Sequence, residues 1–237
     1  MRLLVSVVDA GEAGTAAAAG ADIVDVKNPA EGSLGAPSPA VIAGVRAAVP
    51  SELPVSAAIG DMPNLPGTAA LAALGAAGSG ATYVKVGLWG VSTEEDAVVL
   101  LRAVRDAVAG AVVVAAAYAD AERVAHAPLA PELLPRVAHA AGVELCLVDT
   151  AVKDGRGLLQ WLSPEALTSL AAEAHAAGLE VALAGALRAE DLPVVRGTGA
   201  DIAGVRSAAC GDGRRSGPLD AARVRALVAA TRELLPG

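Results

Sequence analysis

Eight short runs rich in Val, Leu and Ala alternate with eight Ala-rich helical segments along 237 residues. That alternation predicts an α/β fold, a single (β/α)8 TIM barrel. The strand runs are continuously apolar rather than alternating, as strands covered on both faces are. A doubly wound open sheet fits less well, because no G-x-G-x-x-G opens the first helix and no switch point interrupts the order of units.

The units follow one another without a linker, so residues 1–237 are expected to form one domain. Strand 2–8 leads to helix 10–19, closed by Gly20. Strand 22–27 leads to helix 38–48, opened by Ser38. Strand 54–59 is followed by helix 67–79 and Gly80, and strand 82–87 by helix 92–109, opened by Ser92. Strand 111–117 precedes helix 131–141 and Gly142. Strand 144–149 precedes helix 164–177, which starts at Ser163-Pro164 and ends at Gly178. Strand 179–184 leads to helix 188–197 and Gly199, and strand 201–206 to helix 219–235. Ser before a helix supplies an oxygen for free N–H groups, Pro fits the first helical position, and Gly adopts the left-handed turn after the last. The loops after the second and eighth strands read as the long ones, where function concentrates in compact domains.

Composition narrows the function. With 54% hydrophobic and 19% charged residues the chain can bury a large core. A net charge of −8 and almost no aromatic residues disfavour nucleic acid as a partner. No apolar run reaches the roughly 20 residues of a bilayer span. Cys146 and Cys210 lie far apart without metal-type spacing, and a cytoplasmic protein with reduced thiols is expected. Ala-rich helices with few charges point to a homo-oligomer.

Only three of the 18 Lys and Arg residues are lysines, and each stands at or just past a strand end. They are Lys27 in ADIVDVKNP, Lys85 in ATYVKVGL and Lys153 in LCLVDTAVKDG. An amine can lose its proton and attack a carbonyl, whereas a guanidinium stays charged. Active sites of such barrels occupy the C-terminal strand ends. There the second strand brings Asp25 and Lys27, the fourth Lys85, the sixth Asp149 with Lys153 beyond it, and the eighth Arg206. Alternate strands fill the same interior layer, so these six residues are expected to converge. A desolvated lysine beside another cation becomes nucleophilic at neutral pH, and the two carboxylates keep the amines together. Gly185 after the seventh strand, with Ser207 and Ala208 after the eighth, mark the expected phosphate seat beside Arg206. Arg214 and Arg215 stay open between a phosphate contact and a solvated loop. His126, His139 and His175 read as surface residues, and Cys210 as either a filler or a loop thiol. Asp120 reads as a supporting or capping residue, and Asp61 and Asn64 as either substrate contacts or turn formers.

At these residues the chain resembles a known family. The segments LLVSVVDAGEA, ADIVDVKNPAEGSLGA, LPVSAAIGD, YVKVGLWG, AAAYADAERV, LVDTAVKDG, ALAGAL and DIAGVRSAACG are similar to the (5-formylfuran-3-yl)methyl phosphate synthases. These furan-forming enzymes of methanofuran biosynthesis are also called 4-(hydroxymethyl)-2-furancarboxaldehyde-phosphate synthases. The resemblance implies a TIM-barrel lyase in the style of Schiff-base aldolases. It would condense two glyceraldehyde 3-phosphate molecules into a phosphorylated furan aldehyde with loss of phosphate and water. Lys27 matches the imine-forming lysine and Lys85 the proton acceptor, while Asp25, Asp149 and Lys153 match the remaining charged site residues. No cofactor is implied, and no metal, since no His/Asp/Glu cluster occupies a strand mouth. GDGRRSGPLD (211–220) departs from the family pattern. Alternatives are a class I aldolase of the deoxyribose-phosphate type, a sugar-phosphate isomerase and a non-catalytic phosphosugar-binding barrel.

Overall fold

The computed structural model describes residues 1–232. Eight parallel strands close into one barrel in the order of the chain. They are β1 (Arg2–Val7), β2 (Ile23–Val26), β3 (Val55–Pro63), β4 (Tyr83–Gly90), β5 (Val112–Tyr118), β6 (Leu145–Asp149), β7 (Glu180–Leu183) and β8 (Ile202–Val205). The helices between and after them are α1 (Ala10–Ala18), α2 (Pro39–Ala48), α3 (Pro66–Gly78), α4 (Glu94–Ala107), α5 (Leu134–Ala141), α6 (Pro164–Ala176), α7 (Leu192–Gly197) and α8 (Ala221–Arg232). All eight strands and eight helices expected from the sequence form. No described helix is long and apolar enough to cross a membrane.

Two apolar clusters explain why the strand runs are continuous. Leu3, Val5 and Val7 of β1 face outward and pack with Val24, Val84, Val113 and the helices. Leu4 points inward, joining Ile23, Ala58, Val114, Leu145, Leu147, Ala182 and Ile202 inside the barrel. Alternation is present in direction but invisible in hydropathy, because both directions are covered. Among the inward residues Ala58 and Ala182 are small, which leaves room in the barrel's mouth.

Helix boundaries follow local chemistry. Ser38 and Ser163 accept from the N–H groups of Val41 and Ala166, with Pro39 and Pro164 at the first helical positions. Gly142, at φ 70°, closes α5 in the left-handed conformation, and Gly20, Gly80, Gly178 and Gly199 also turn with positive φ. Ser92 does not open α4. Thr93 does, because its hydroxyl accepts from Asp96 N–H and donates to the Asp96 carboxylate, which ties down the first turn reciprocally. The expected helices 131–141 and 188–197 begin as 3-10 turns, Pro131–Leu133 and Ala189–Asp191. The expected helix 219–235 begins at Ala221, and its residues 233–235 lie outside the described part of the chain. The loops after β5 and β6 are as long as those after β2 and β8, so four extended loops surround the mouth.

Gly87 of β4 shows how tightly the mouth is packed. A Cβ there would lie 2.1 Å from the Tyr118 hydroxyl oxygen and 3.1 Å from both Gly60 O and Leu34 Cδ1. Gly87→Ala is therefore expected to lose about 1–3 kcal/mol, read as a lower denaturant midpoint with an unchanged slope.

Candidate active site

A cavity of about 360 Å³ opens at the C-terminal ends of the strands. β2 directs Asp25 into it, and Lys27 follows just beyond that strand's end on the same face. β4 supplies Lys85, β6 supplies Asp149, and Lys153 reaches back from the following loop. Lys85 Nζ lies 2.5 Å from Asp25 Oδ1, an ion pair sealed at 4% and 0% side-chain exposure. Asp25 Oδ2 accepts from the Ser6 hydroxyl at 3.0 Å. Lys153 Nζ donates to Asp149 Oδ1 at 2.8 Å, to Thr150 O at 2.6 Å and to Thr150 Oγ1 at 3.1 Å. Asp149 Oδ1 also accepts the Thr150 N–H at 2.7 Å.

Lys27 differs from the other two lysines. It is buried, and among the described residues its amine enters no hydrogen bond or ion pair. Burial pushes its pKa down, Asp149 and Asp25 pull it back, and Lys85 and Lys153 lower it, leaving it at about 8 instead of 10.5. Asp149 shows the opposite balance. Burial raises its pKa, but Lys153, Lys27 and the Thr150 N–H outweigh burial and hold it at about 2. The site therefore contains one amine whose pKa of about 8 lets a minority of it be neutral near physiological pH, beside a carboxylate that stays ionised.

A second ring of carboxylates holds the loops rather than the cavity. Asp61 accepts from the N–H groups of Ser33 and Leu34 at 2.8 and 3.2 Å and from the Tyr118 hydroxyl at 2.5 Å. It thus pins the loop that leaves Lys27. Burial, and then Asp61 itself, push the Tyr118 pKa far up, so this phenol remains a donor. Its ring meets Trp89 edge-on at 5.5 Å. Asp120 accepts from Ala151 and Val152 N–H at 2.6 and 2.8 Å, which fixes the loop after β6 and supports Asp149 and Lys153 from below. Asn64 is exposed, as are His126, His139 and His175, and Cys210 is buried with its thiol on Arg206 O.

Arg206 requires a correction. It reaches the mouth, but its guanidinium is fully engaged and is not free for a phosphate. It donates to Glu12 at 2.5 and 3.2 Å, to Ser6 O at 3.1 Å, to Arg215 O at 2.8 Å and to Gly217 O at 2.9 Å. Buried Arg needs a carboxylate and carbonyls, and α1 and the β8 loop supply both. Gly185 and Ser207 line the cavity, whereas Ala208 packs half-buried against the outer core. Asp25, Lys27, Lys85, Asp149 and Lys153 do come together around one cavity. Two lining residues were not legible as site residues. Ser6 and Ser56 read as ordinary strand serines, and only the inward register of β1 and β3 reveals them. Ser56 Oγ is buried without a hydrogen-bond partner among the described residues.

Because the folded pKa of Lys27 lies below its ordinary value, burial of the charged form destabilises the fold. That cost is full below pH about 8 and is relieved as pH rises from about 8 toward 10.5. Lys27→Met is therefore expected to gain most stability over the wild type near neutral pH and progressively less toward pH 10.5, in paired denaturant titrations. Competitive amine labelling of the Lys27 peptide is expected to show a midpoint near pH 8.

Comparisons with known proteins identify the family and the fold. The family profile described as 4-HFC-P synthase matches residues 3–228. The (5-formylfuran-3-yl)methyl phosphate synthase of Methanocaldococcus jannaschii is 49% identical over 232 residues, 96% of this chain and 98% of its own. That of Methanopyrus kandleri is 52% identical over 219 residues, covering 91% and 92% of the two chains. Among solved structures, 3-hexulose-6-phosphate synthase superposes with a TM-score of 0.64 at 21% identity, over 97% of this chain and 99% of that one. A KDPGal structure superposes with a TM-score of 0.62 at 15% identity over 98% and 92%. These structures share the barrel fold. With a profile matched across nearly its whole length and relatives at about half identity, the chain belongs to the 4-HFC-P synthase family.

Proposed function

We propose that this protein is a Schiff-base-forming lyase that condenses two molecules of glyceraldehyde 3-phosphate into (5-formylfuran-3-yl)methyl phosphate, releasing phosphate and water. The observation that carries the reading is Lys27. Its amine is buried and unpaired, with a pKa brought to about 8 in a cavity that also holds two ion-paired lysines. Both the family and the relatives carry the same furan phosphate chemistry in their names.

In this reading the neutral Lys27 amine attacks the aldehyde carbon of one triose phosphate. A carbinolamine forms and water leaves, giving the protonated imine. The positive nitrogen then acidifies the adjacent C–H. Lys85 takes that proton once its own has passed to Asp25, 2.5 Å away, and the imine becomes an enamine. The enamine expels phosphate from the third carbon of the bound triose, and the enol carbon so formed attacks the ketone carbon of a second triose phosphate that has isomerised from aldehyde to ketone. Closure of that triose's terminal hydroxyl oxygen onto the carbon next to the imine, loss of two waters and hydrolysis of the imine give the furan aldehyde and release Lys27. Lys153, held by Asp149 and Thr150, is placed to donate protons to departing oxygens. Ionised Asp149 stabilises the iminium charge. The backbone around Gly185 and Ser207 lines one side of the cavity and is the proposed seat for a phosphate.

Borohydride trapping tests the imine. Glyceraldehyde 3-phosphate with borohydride is expected to leave a reduced adduct on the Lys27 peptide by mass spectrometry, and none in Lys27→Arg. That variant is expected to lose furan formation by about a thousandfold or more, followed through ultraviolet absorbance. Substrate consumption with no adduct on any lysine would eliminate the imine route and favour an isomerase. Self-association is part of the proposal: Leu71 and Leu74 stand 73% and 56% exposed on α3, which carries no charged residue. Light scattering is expected to give a mass at least twice the 23.2 kDa of one chain.

A further inference from the structure

The cations around the cavity are almost all spoken for. Lys85 pairs with Asp25, Lys153 with Asp149, Arg206 with Glu12, Arg156 with Asp154 and Arg214 with Asp212. Two lining cations have no carboxylate partner among the described residues: Lys27 and Arg215. The first is assigned to the carbonyl end of a substrate. The second has no assignment.

Arg215 lies on the loop between β8 and α8 and is half-buried. Its guanidinium makes a single hydrogen bond, from Nη2 to Gly32 O at 3.1 Å, across the mouth to the loop that follows Lys27. Its backbone is held firmly, since Arg206 donates to Arg215 O at 2.8 Å and to Gly217 O at 2.9 Å. The Gly32 end is held as well, because Asp61 grips the next two N–H groups. The side chain is therefore suspended between two fixed loops, with one neutral carbonyl as its partner. Burial makes the charged form less comfortable, Asp149 favours it and Arg206 opposes it, with the net effect lowering its pKa. A half-buried guanidinium with unused donors matches a phosphate dianion, which accepts two parallel N–H bonds.

We propose that Arg215 is an anion seat of this site, gripping the dianionic phosphate of a phosphate monoester whose carbonyl end lies at Lys27. The position assigned to the carbonyl rests on the imine reading above, whereas the anion seat does not. The neighbouring Arg214 is excluded from this role by its pairing with Asp212, 2.9 Å away. Arg206 is excluded by its full set of partners, and its part is to position the Arg215 backbone.

The experiment is calorimetric titration with inorganic phosphate, run on the wild type, Arg215→Ala and Arg214→Ala. Arg215→Ala is expected to weaken phosphate binding at least tenfold, with an unchanged melting temperature. Arg214→Ala removes the same charge from the same loop and is expected to change affinity less than about threefold. With glyceraldehyde 3-phosphate, Arg215→Ala is expected to raise KM about tenfold or more. Borohydride trapping of unphosphorylated glyceraldehyde on Lys27 should match the wild type. Equal phosphate affinity in Arg215→Ala and wild type would overturn the proposal, as would equal weakening by Arg214→Ala. A wild type that binds no phosphate up to tens of millimolar would overturn it as well. Loss of phosphate binding in Arg215→Ala, with no Lys27 adduct in any protein, would uphold the anion seat and remove the imine reading.

Discussion

The arrangement of this site depends on keeping three amines together inside a barrel. Like charges at close range in a poorly solvated interior repel strongly, and each ammonium also loses its hydration. Two carboxylates solve part of this problem. Asp25 neutralises Lys85 and Asp149 neutralises Lys153, both within ion-pair distance. The third amine has only longer-range help from the same carboxylates, too little to offset the cost of its burial, and its pKa falls. Lys27 is thus the amine left without a partner, beside two complete ion pairs.

Around this inner group, the loops are set by polar contacts rather than by packing alone. Asp61, Asp120 and Glu12 each take several donors, and each secures a different loop: after β2, after β6 and after β8. Ser33 adds a link between two of them through Thr150 O at 2.8 Å. Barrel enzymes place their chemistry on strand ends and their substrate contacts on loops. Here the loops are also tied to one another, so the mouth behaves as a joined rim.

The fold was legible because barrel architecture writes itself locally. Continuous apolar runs, Ser at helix starts and Gly after helix ends each report on a few adjacent residues, and Ser38, Ser163 and Gly142 behave as read. Thr93 was missed beside Ser92 because either hydroxyl could cap, and only the geometry of Asp96 chooses. The inner charged residues were legible for a related reason: a period of two on a known strand fixes direction, so Asp25 and Lys27 had to share a face. What was not legible depends on contacts between distant segments. Nothing near Arg206 in the chain discloses that Glu12, 194 residues away, would engage it. Ser6 and Ser56 became visible only when the strand register placed them beside the charged residues. Asp61 could be taken for a turn former because its partners, Ser33 and Tyr118, lie 28 and 57 residues away.

The Arg206 knot also has a temporal side. Its guanidinium joins the Ser6 carbonyl and Glu12, made first, to the loop at Arg215 and Gly217, made later. The same seam is where β1 meets β8 and the barrel closes. Until the ribosome has delivered β8, the β1 edge lacks its β8 neighbour and Glu12 lacks Arg206. A nascent chain would therefore carry its lysines and carboxylates in an open sheet, water-exposed and chemically ordinary. The surroundings of the amine at position 27 would be complete only once β8 has paired with β1 and closed the barrel.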